Sequence, residues 1–141
     1  MPDAPPHRLS CGVVVVSYPQ RQLKYLLLRA FRNWDFPKGL VEAGEEPIDT
    51  ALREVREETT LEGLRFDWGF NYIETGPYNK GKISRYYLAR SDQMQVSLPI
   101  NPELGAAEHH EARWFDFDTA ASLVSARLQP VLRWAQTIVN R

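Results

Sequence analysis

Residues 39–61 read GLVEAGEEPIDTALREVREETTL, and the organisation of the chain follows from how that stretch folds. From Pro47 to about Thr60 it reads as a helix. A proline suits the first turn, and acids crowd the start, where the helix dipole favours them. At about 100° per residue, Ile48, Ala51, Leu52, Val55 and Thr59 share one face, while Arg53, Glu54, Glu57 and Glu58 share the other. The apolar face demands a sheet or a second helix to cover it. The polar face carries carboxylates spaced i, i+3 and i+4, one turn apart on a single surface.

Working outward, Ser10–Ser17 is a β-branched run that ends near the turn signal Tyr18-Pro19, and Gln22–Ala30 is a second apolar run. The two read as a hairpin. Phe31–Gly44, with Pro37, Gly39 and Gly44, reads mostly as loop. Downstream, strands are expected at 64–73 (broken by a bulge near Gly69), 83–89, 94–98 and 112–117. Asp118 is placed to cap a short helix over 119–125. Pro130 opens a last helix to about Val139, whose stripe is Val131, Leu132, Ala135, Ile138 and Val139. Strands first, one helix in the middle and helices at the end predict a mixed α/β (α+β) sandwich.

The 141 residues suit a single domain over 1–141, with Met1 to His7 as a loose tail. At 43% hydrophobic and 25% charged the composition is that of a soluble globular chain. The lone Cys11 opens an apolar run, which reads as a buried, inert thiol. It demands no oxidising compartment, so a cytoplasmic setting is expected. No apolar stretch has membrane-spanning length, and a net charge of -1 argues against an extended nucleic-acid surface. The charge is unevenly spread. Eight of the 18 acids fall between Glu42 and Glu62, opposed there by Arg53 and Arg56 alone, whereas Arg8–Lys38 carries six Lys/Arg against one acid. An acidic patch beside basic segments suits hard cations that hold a phosphate substrate.

Phosphoanhydride hydrolysis asks for cations to neutralise charge, a positioned water and a base. Clustered Glu54, Glu57 and Glu58 repel one another, and a divalent cation among them removes that cost. Arg53, four residues before Glu57, is spaced to pair with it. Taken alone, the run Arg53–Glu58 would pass for a solvated charged face. Gly39, Glu45 and Leu61 at their particular spacings change that reading.

Together these residues resemble the Nudix box: Gly, five residues, Glu, seven residues, Arg-Glu-apolar, one residue, Glu-Glu, one residue, Gly, apolar. Eight of the nine specified positions match, and Phe36-Pro37-Lys38-Gly39 just upstream is similar to the family as well. The exception is Thr60 in place of Gly. A β-branched residue disfavours a left-handed helix exit, so an altered exit is expected, with Gly63 taking the capping role.

The resemblance implies a Nudix-type α/β/α sandwich with a mixed sheet. It implies Mg²⁺ or Mn²⁺ held by Glu54, Glu57 and Glu58, with the Gly39 carbonyl as a further ligand. Deprotonation of the water falls to one of the glutamates or to the metal centre. Arg53 orients a glutamate, and Glu45 supports the loop–helix–loop by hydrogen bonding.

Within the family the chain is similar to asymmetric diadenosine tetraphosphate hydrolases. That likeness rests on Cys11–Val14, Tyr25–Leu28, Trp34–Gly39, Val41–Glu45 and Glu108–Phe115. It implies a further metal ligand at Glu108, with Glu111 as the alternative. Phosphate contacts fall to Lys38, Lys80, Lys82, Tyr87 and His109. An adenine needs a flat apolar partner worth about 1–3 kcal/mol, for which Tyr78, Phe115 and Phe117 are candidates. The partner is a small nucleotide, and the chain is a monomer or homodimer.

Other readings are a nucleoside triphosphate or 5′-triphosphate RNA pyrophosphohydrolase, a nucleotide-binding module without catalysis, and an interaction domain with a fortuitous acidic helix. Retention of all three box carboxylates opposes the last two. Glu57→Gln is expected to lower turnover at least ~100-fold with the fold intact. Near-wild-type steady-state kinetics, with an unchanged circular dichroism spectrum, would remove Glu57 from the catalytic set.

Overall fold

A computed structural model describes residues 8–141; the expected tail at 1–7 lies outside the described residues. The first run forms β1 (Arg8–Ser17) and the second β2 (Lys24–Ala30), paired antiparallel at Val16–Tyr25 and Ser17–Lys24. Two short strands follow, β3 (Asn33–Asp35) and β4 (Lys38–Leu40), then helix α1 (Pro47–Thr59). A long hairpin comes next, β5 (Tyr72–Tyr78) with β6 (Lys82–Arg90). A two-residue pair, β7 (Ile100–Asn101) and β8 (Ala106–Ala107), precedes β9 (Glu111–Phe115), α2 (Phe117–Leu123) and α3 (Gln129–Val139).

The main sheet runs β3-β2-β1-β6-β5, with β4 also on β1 and β9 also on β2. The β1–β6 pairing is parallel and the others antiparallel, so the sheet is mixed.

The uninterrupted apolar character of β1 has a physical cause: both of its faces are covered. Cys11, Val13 and Val15 join Leu26, Leu28, Tyr87 and Ala89 beneath Ala51, Val55 and Leu61. Val14 and Val16 point the other way, with Tyr25, Leu27, Tyr86 and Leu88, into the layer of Leu128, Val131, Leu132, Ala135 and Ile138. Helix α1 therefore covers one face and α2 with α3 the other, which is the expected sandwich. Cys11 is fully buried, and burial pushes its thiol up to about 11.

Four local expectations need correction. The stretch 64–73 is not a strand. It makes only a bridge between Arg65 and Arg90, then a turn in which the Gly69 N–H donates to the Phe66 carbonyl, before β5 begins at Tyr72. Its apolar residues Leu64, Phe66 and Trp68 pack as loop side chains rather than as one face of a ladder. The stretch 94–98 likewise packs Val96 and Leu98 on the α1 side without strand pairing. Phe31–Gly44 holds two strands where loop was expected, because three-residue strands are too short to show a period. Finally α2 begins two residues early. The Asp116 carboxylate, not Asp118, accepts from the Thr119 N–H at 2.8 Å, and this start places Phe117 edge-on to Tyr25.

The helix exit also corrects the expectation. Thr60 itself takes the left-handed conformation (φ 66°, ψ 3°) and donates its N–H to the Arg56 carbonyl. Gly63 has positive φ but lies beyond the cap. Leu61, 1% exposed, explains this, since the chain must turn at once to bury it, and its N–H is satisfied by the Thr59 hydroxyl at 3.1 Å. The burial of Leu61 outweighs the ~1–2 kcal/mol cost of a left-handed β-branched residue. Thr60→Gly should relieve that strain and raise stability by about 0.5–1 kcal/mol net of added chain entropy, or about 2–4 °C in Tm. A lower Tm by calorimetry would show that Thr60 is not strained.

Candidate active site

The site is built from one face of α1, the end of β4 and the loop between β8 and β9. Arg53 is the hub of its structural half. Its Nε and NH2 grip both oxygens of Glu45 at 2.7 and 3.0 Å, its NH1 donates to Glu54 at 2.7 Å and to Glu57 at 3.1 Å, and its NH2 also reaches the Leu40 carbonyl at 3.2 Å. A fork of fixed donors suits this role in a way that a lysine would not. Glu45 accepts further bonds from the Thr50 hydroxyl at 2.7 Å and the Glu42 N–H at 3.0 Å. Those hydrogen bonds, led by Arg53, hold its carboxyl down at about 2. The strap thus stays ionised, and the loop stays tied to the helix, throughout the neutral range.

The catalytic half is arranged by depth. The Glu57 side chain is 54% exposed and Glu54 13%. Glu58, expected on the open polar face, is instead only 5% exposed, tucked between the Lys38 backbone and the 108–109 loop. Its Oε1 accepts from the Lys38 N–H at 3.3 Å, and its Oε2 is buried without a partner among the described residues. Burial first, then the adjacent Glu54 and Glu108 carboxylates, push its acid strength down, so that its pKa is strongly raised. Glu108 is raised as well, by burial and by Glu54.

Ligand atoms of Glu58, Glu108 and His109 lie within 4.8 Å of one another. His109 Nδ1 sits 3.9 Å from Glu58 Oε1, and burial lowers its pKa, which favours neutral imidazole. Gly39 lies against Glu54 so closely that a β-carbon there would overlap the carboxylate. Hard oxygen donors, one orphaned and buried, fit a divalent cation.

Glu54, Glu57, Glu58, Glu108 and His109 line an open cleft of about 740 Å³ with Glu42, Arg53 and Arg56. Its lining also includes Leu98 to Glu103, a segment with no functional motif of its own.

Other expected residues fall elsewhere. Glu111 is taken up by Arg29 at 3.0 Å and by Arg113, which leaves Glu108 as the carboxylate of that loop in the cleft. His110 accepts from the Phe31 N–H at 3.0 Å, away from the cleft. Lys38 reaches toward Asp35 with Nζ at 3.8 Å. Lys80 lies in the β5–β6 turn and Lys82 opens β6, and neither lines the cleft. Tyr87 is 5% exposed on the α1 side, edge-on to Tyr72, while Tyr86 faces the other way and donates its hydroxyl to Asp35 at 3.0 Å. Phe115 packs edge-on to Trp34 and Phe117 to Tyr25, so both are spent on the interior. Tyr78 is half-buried, its hydroxyl 2.6 Å from Ser84 and one ring face covered by Arg127.

A mixed-sheet sandwich that directs helix carboxylates into one cleft, with a buried oxygen left for a cation, is the build of a hydrolase that works on phosphates. Comparison with known proteins gives the particular family. Residues 6–135 match the model of the NUDIX domain. The bis(5′-nucleosyl)-tetraphosphatase [asymmetrical] of Sus scrofa is 30% identical over 131 residues, 81% of this chain and 82% of that protein. An RNA pyrophosphohydrolase of Bartonella henselae is 25% identical over 141 residues, covering 84% of this chain and 82% of its own length. The crystal structure of a C. elegans Ap4A hydrolase binary complex superposes with a TM-score of 0.77 at 22% identity, over 94% of this chain and 98% of that one. The chain belongs to the Nudix family and is a pyrophosphohydrolase.

Proposed function

We propose that the chain hydrolyses dinucleoside polyphosphates, with diadenosine tetraphosphate giving ATP and AMP. The observation that carries this is the gathering of Glu54, Glu57, Glu58 and Glu108 along one cleft, in a chain that matches the pig tetraphosphatase over four-fifths of both lengths. Glu54, Glu57, Glu58 and Glu108, with the Gly39 carbonyl, are proposed to hold Mg²⁺ or Mn²⁺. When bound, the metal supplies positive charge against the phosphate oxygens. Arg53 holds Glu54 and Glu57 in place, and Glu45 holds Arg53. A water adds to one phosphorus as the bridging P–O bond breaks; its proton passes to a carboxylate of the cleft, and the second nucleotide leaves.

His109, which lines the cleft, is the leading proposed phosphate contact; Lys38, directed toward Asp35, and Lys80 and Lys82 at the β5–β6 turn would have to be reached by a long polyphosphate chain. Phe115, Phe117 and Tyr87 are engaged in packing, and Tyr78 is held by Arg127 and Ser84 without lining the cleft, so none of these rings is proposed as the adenine partner. The whole of 1–141 is proposed to act as one domain, as a monomer or homodimer, in a reducing, cytoplasmic setting that suits the lone Cys11. No helix among the described residues is long and apolar enough to cross a membrane.

The similarity to the Bartonella enzyme favours a second reading, removal of pyrophosphate from 5′-triphosphate RNA. A net charge of -1 opposes it, since RNA binding draws on excess Lys and Arg.

Chromatography of products separates the readings. The panel holds dinucleoside polyphosphates, nucleoside triphosphates, triphosphorylated RNA and ADP-ribose, each with Mg²⁺. ATP plus AMP from diadenosine tetraphosphate, at the highest kcat/KM of the panel, is the expected result. Preferred release of pyrophosphate from RNA would transfer the assignment to the second reading. Inertness toward every substrate with Mg²⁺ or Mn²⁺ would overturn both.

A further inference from the structure

On the face of the sheet opposite α1, one carboxylate gathers an unusual number of partners. Asp35 Oδ1 accepts from the Phe36 N–H at 2.6 Å and the Tyr86 hydroxyl at 3.0 Å. Asp35 Oδ2 accepts from Arg127 NH2 at 3.2 Å and lies 3.8 Å from Lys38 Nζ. Arg127 stands in the short turn between α2 and α3, 92 residues away in sequence. Its other terminal nitrogen donates to the Thr75 hydroxyl at 2.7 Å, and its guanidinium carbon lies over the Tyr78 ring, 4.2 Å from the centroid. Three residues on two strands therefore fix the guanidinium: Asp35 on β3, and Thr75 and Tyr78 on β5. No box residue takes part.

What this network holds is the segment that completes the cleft. Asp35 pins the Phe36 backbone, and the Pro37 carbonyl accepts from the Val13 N–H at 3.2 Å. The Lys38 N–H donates to buried Glu58, and Gly39 lies against Glu54. From Asp35 to Gly39 is four peptide bonds, so displacement of Asp35 reaches the carboxylates with little slack to absorb it.

We infer that Arg127 is a positioning residue: acting through Asp35, it sets the Lys38–Gly39 backbone against Glu58 and Glu54 and so tunes how tightly the cleft holds a divalent cation. The inference rests on the metal-dependent reading given above. It makes a prediction opposite in sign to simple electrostatics. Removing a cation from the neighbourhood of an acidic site should tighten cation binding, whereas loss of positioning should weaken it.

The test is Mn²⁺ binding without substrate, followed by the electron paramagnetic resonance signal of the free ion, for wild type and Arg127→Met. Weakening of the Mn²⁺ dissociation constant by at least ~3-fold is expected, with kcat at saturating Mg²⁺ lowered by about 10-fold and KM for the nucleotide changed less. Unchanged or tighter Mn²⁺ binding in this variant would overturn the inference. Arg127→Lys guards against a variant that fails to fold. It keeps the charge but cannot bridge Asp35 and Thr75 together, so weaker Mn²⁺ binding is expected there too, and wild-type binding would be equally fatal. Absence of Mn²⁺ binding by the wild-type protein would instead remove the metal-dependent reading itself.

Discussion

A carboxyl group almost sealed from solvent, with a single backbone donor and one oxygen without a partner among the described residues, is unfavourable in any fold, and Glu58 is such a group. An ionised acid buried there without a counter-charge would cost several kcal/mol, and its raised pKa means that the metal-free fold instead holds it protonated in the neutral range, which itself costs stability against the ionised unfolded state. Its neighbours increase that cost, since Glu54 and Glu108 add like charge rather than compensating it. A divalent cation among the carboxylates would offset both costs with attraction to each of them. The architecture around the cleft makes sense as a scaffold that keeps the carboxylates close, partly dry and in need of metal.

Two sets of cations perform that work without entering the cleft as ligands. Arg53 spends its donors on Glu45, Glu54 and Glu57, so part of the acidic face is neutralised and its rotamers fixed while the oxygens toward the cleft stay available. On the far side of the sheet, Arg127 and Lys38 meet on Asp35. The sheet lies between the two arginines, and β4 connects their effects, because it is bonded to β1 and ends against α1. Rigidity of this kind is what lets a small domain place charge without reorganisation when the substrate arrives.

Much of the sandwich was readable from pattern alone, and the reasons are local. β1 announces itself because burial on both faces forces a continuous β-branched run, and α1 because its two faces separate cleanly. What escaped reading was governed by contacts distant in sequence. Thr60 adopts a conformation its own chemistry disfavours because Leu61 must be buried. Glu58 looks like surface on a helical wheel and is interior because the 108–109 loop closes over it. Phe115 and Phe117, attractive as base partners, are drawn into packing by Trp34 and Tyr25. The Asp35–Arg127 pair spans 92 residues and has no local signature at all, although Asp35 itself stood inside a recognisable motif. The carboxylates of α1 were legible because catalytic spacing on a helix is a sequence property, whereas the wall at Leu98–Glu103 is a property of the fold alone.

Thermal unfolding of the wild-type protein and Glu58→Gln, each with and without Mg²⁺, tests the central claim most directly. If buried, crowded charge is what the metal relieves, the neutral amide should make the metal-free protein melt above metal-free wild type. Saturating Mg²⁺ should then raise the wild type by about 5 °C or more and the variant by far less. A metal-free variant that melts below wild type while keeping the full Mg²⁺ response would contradict the account.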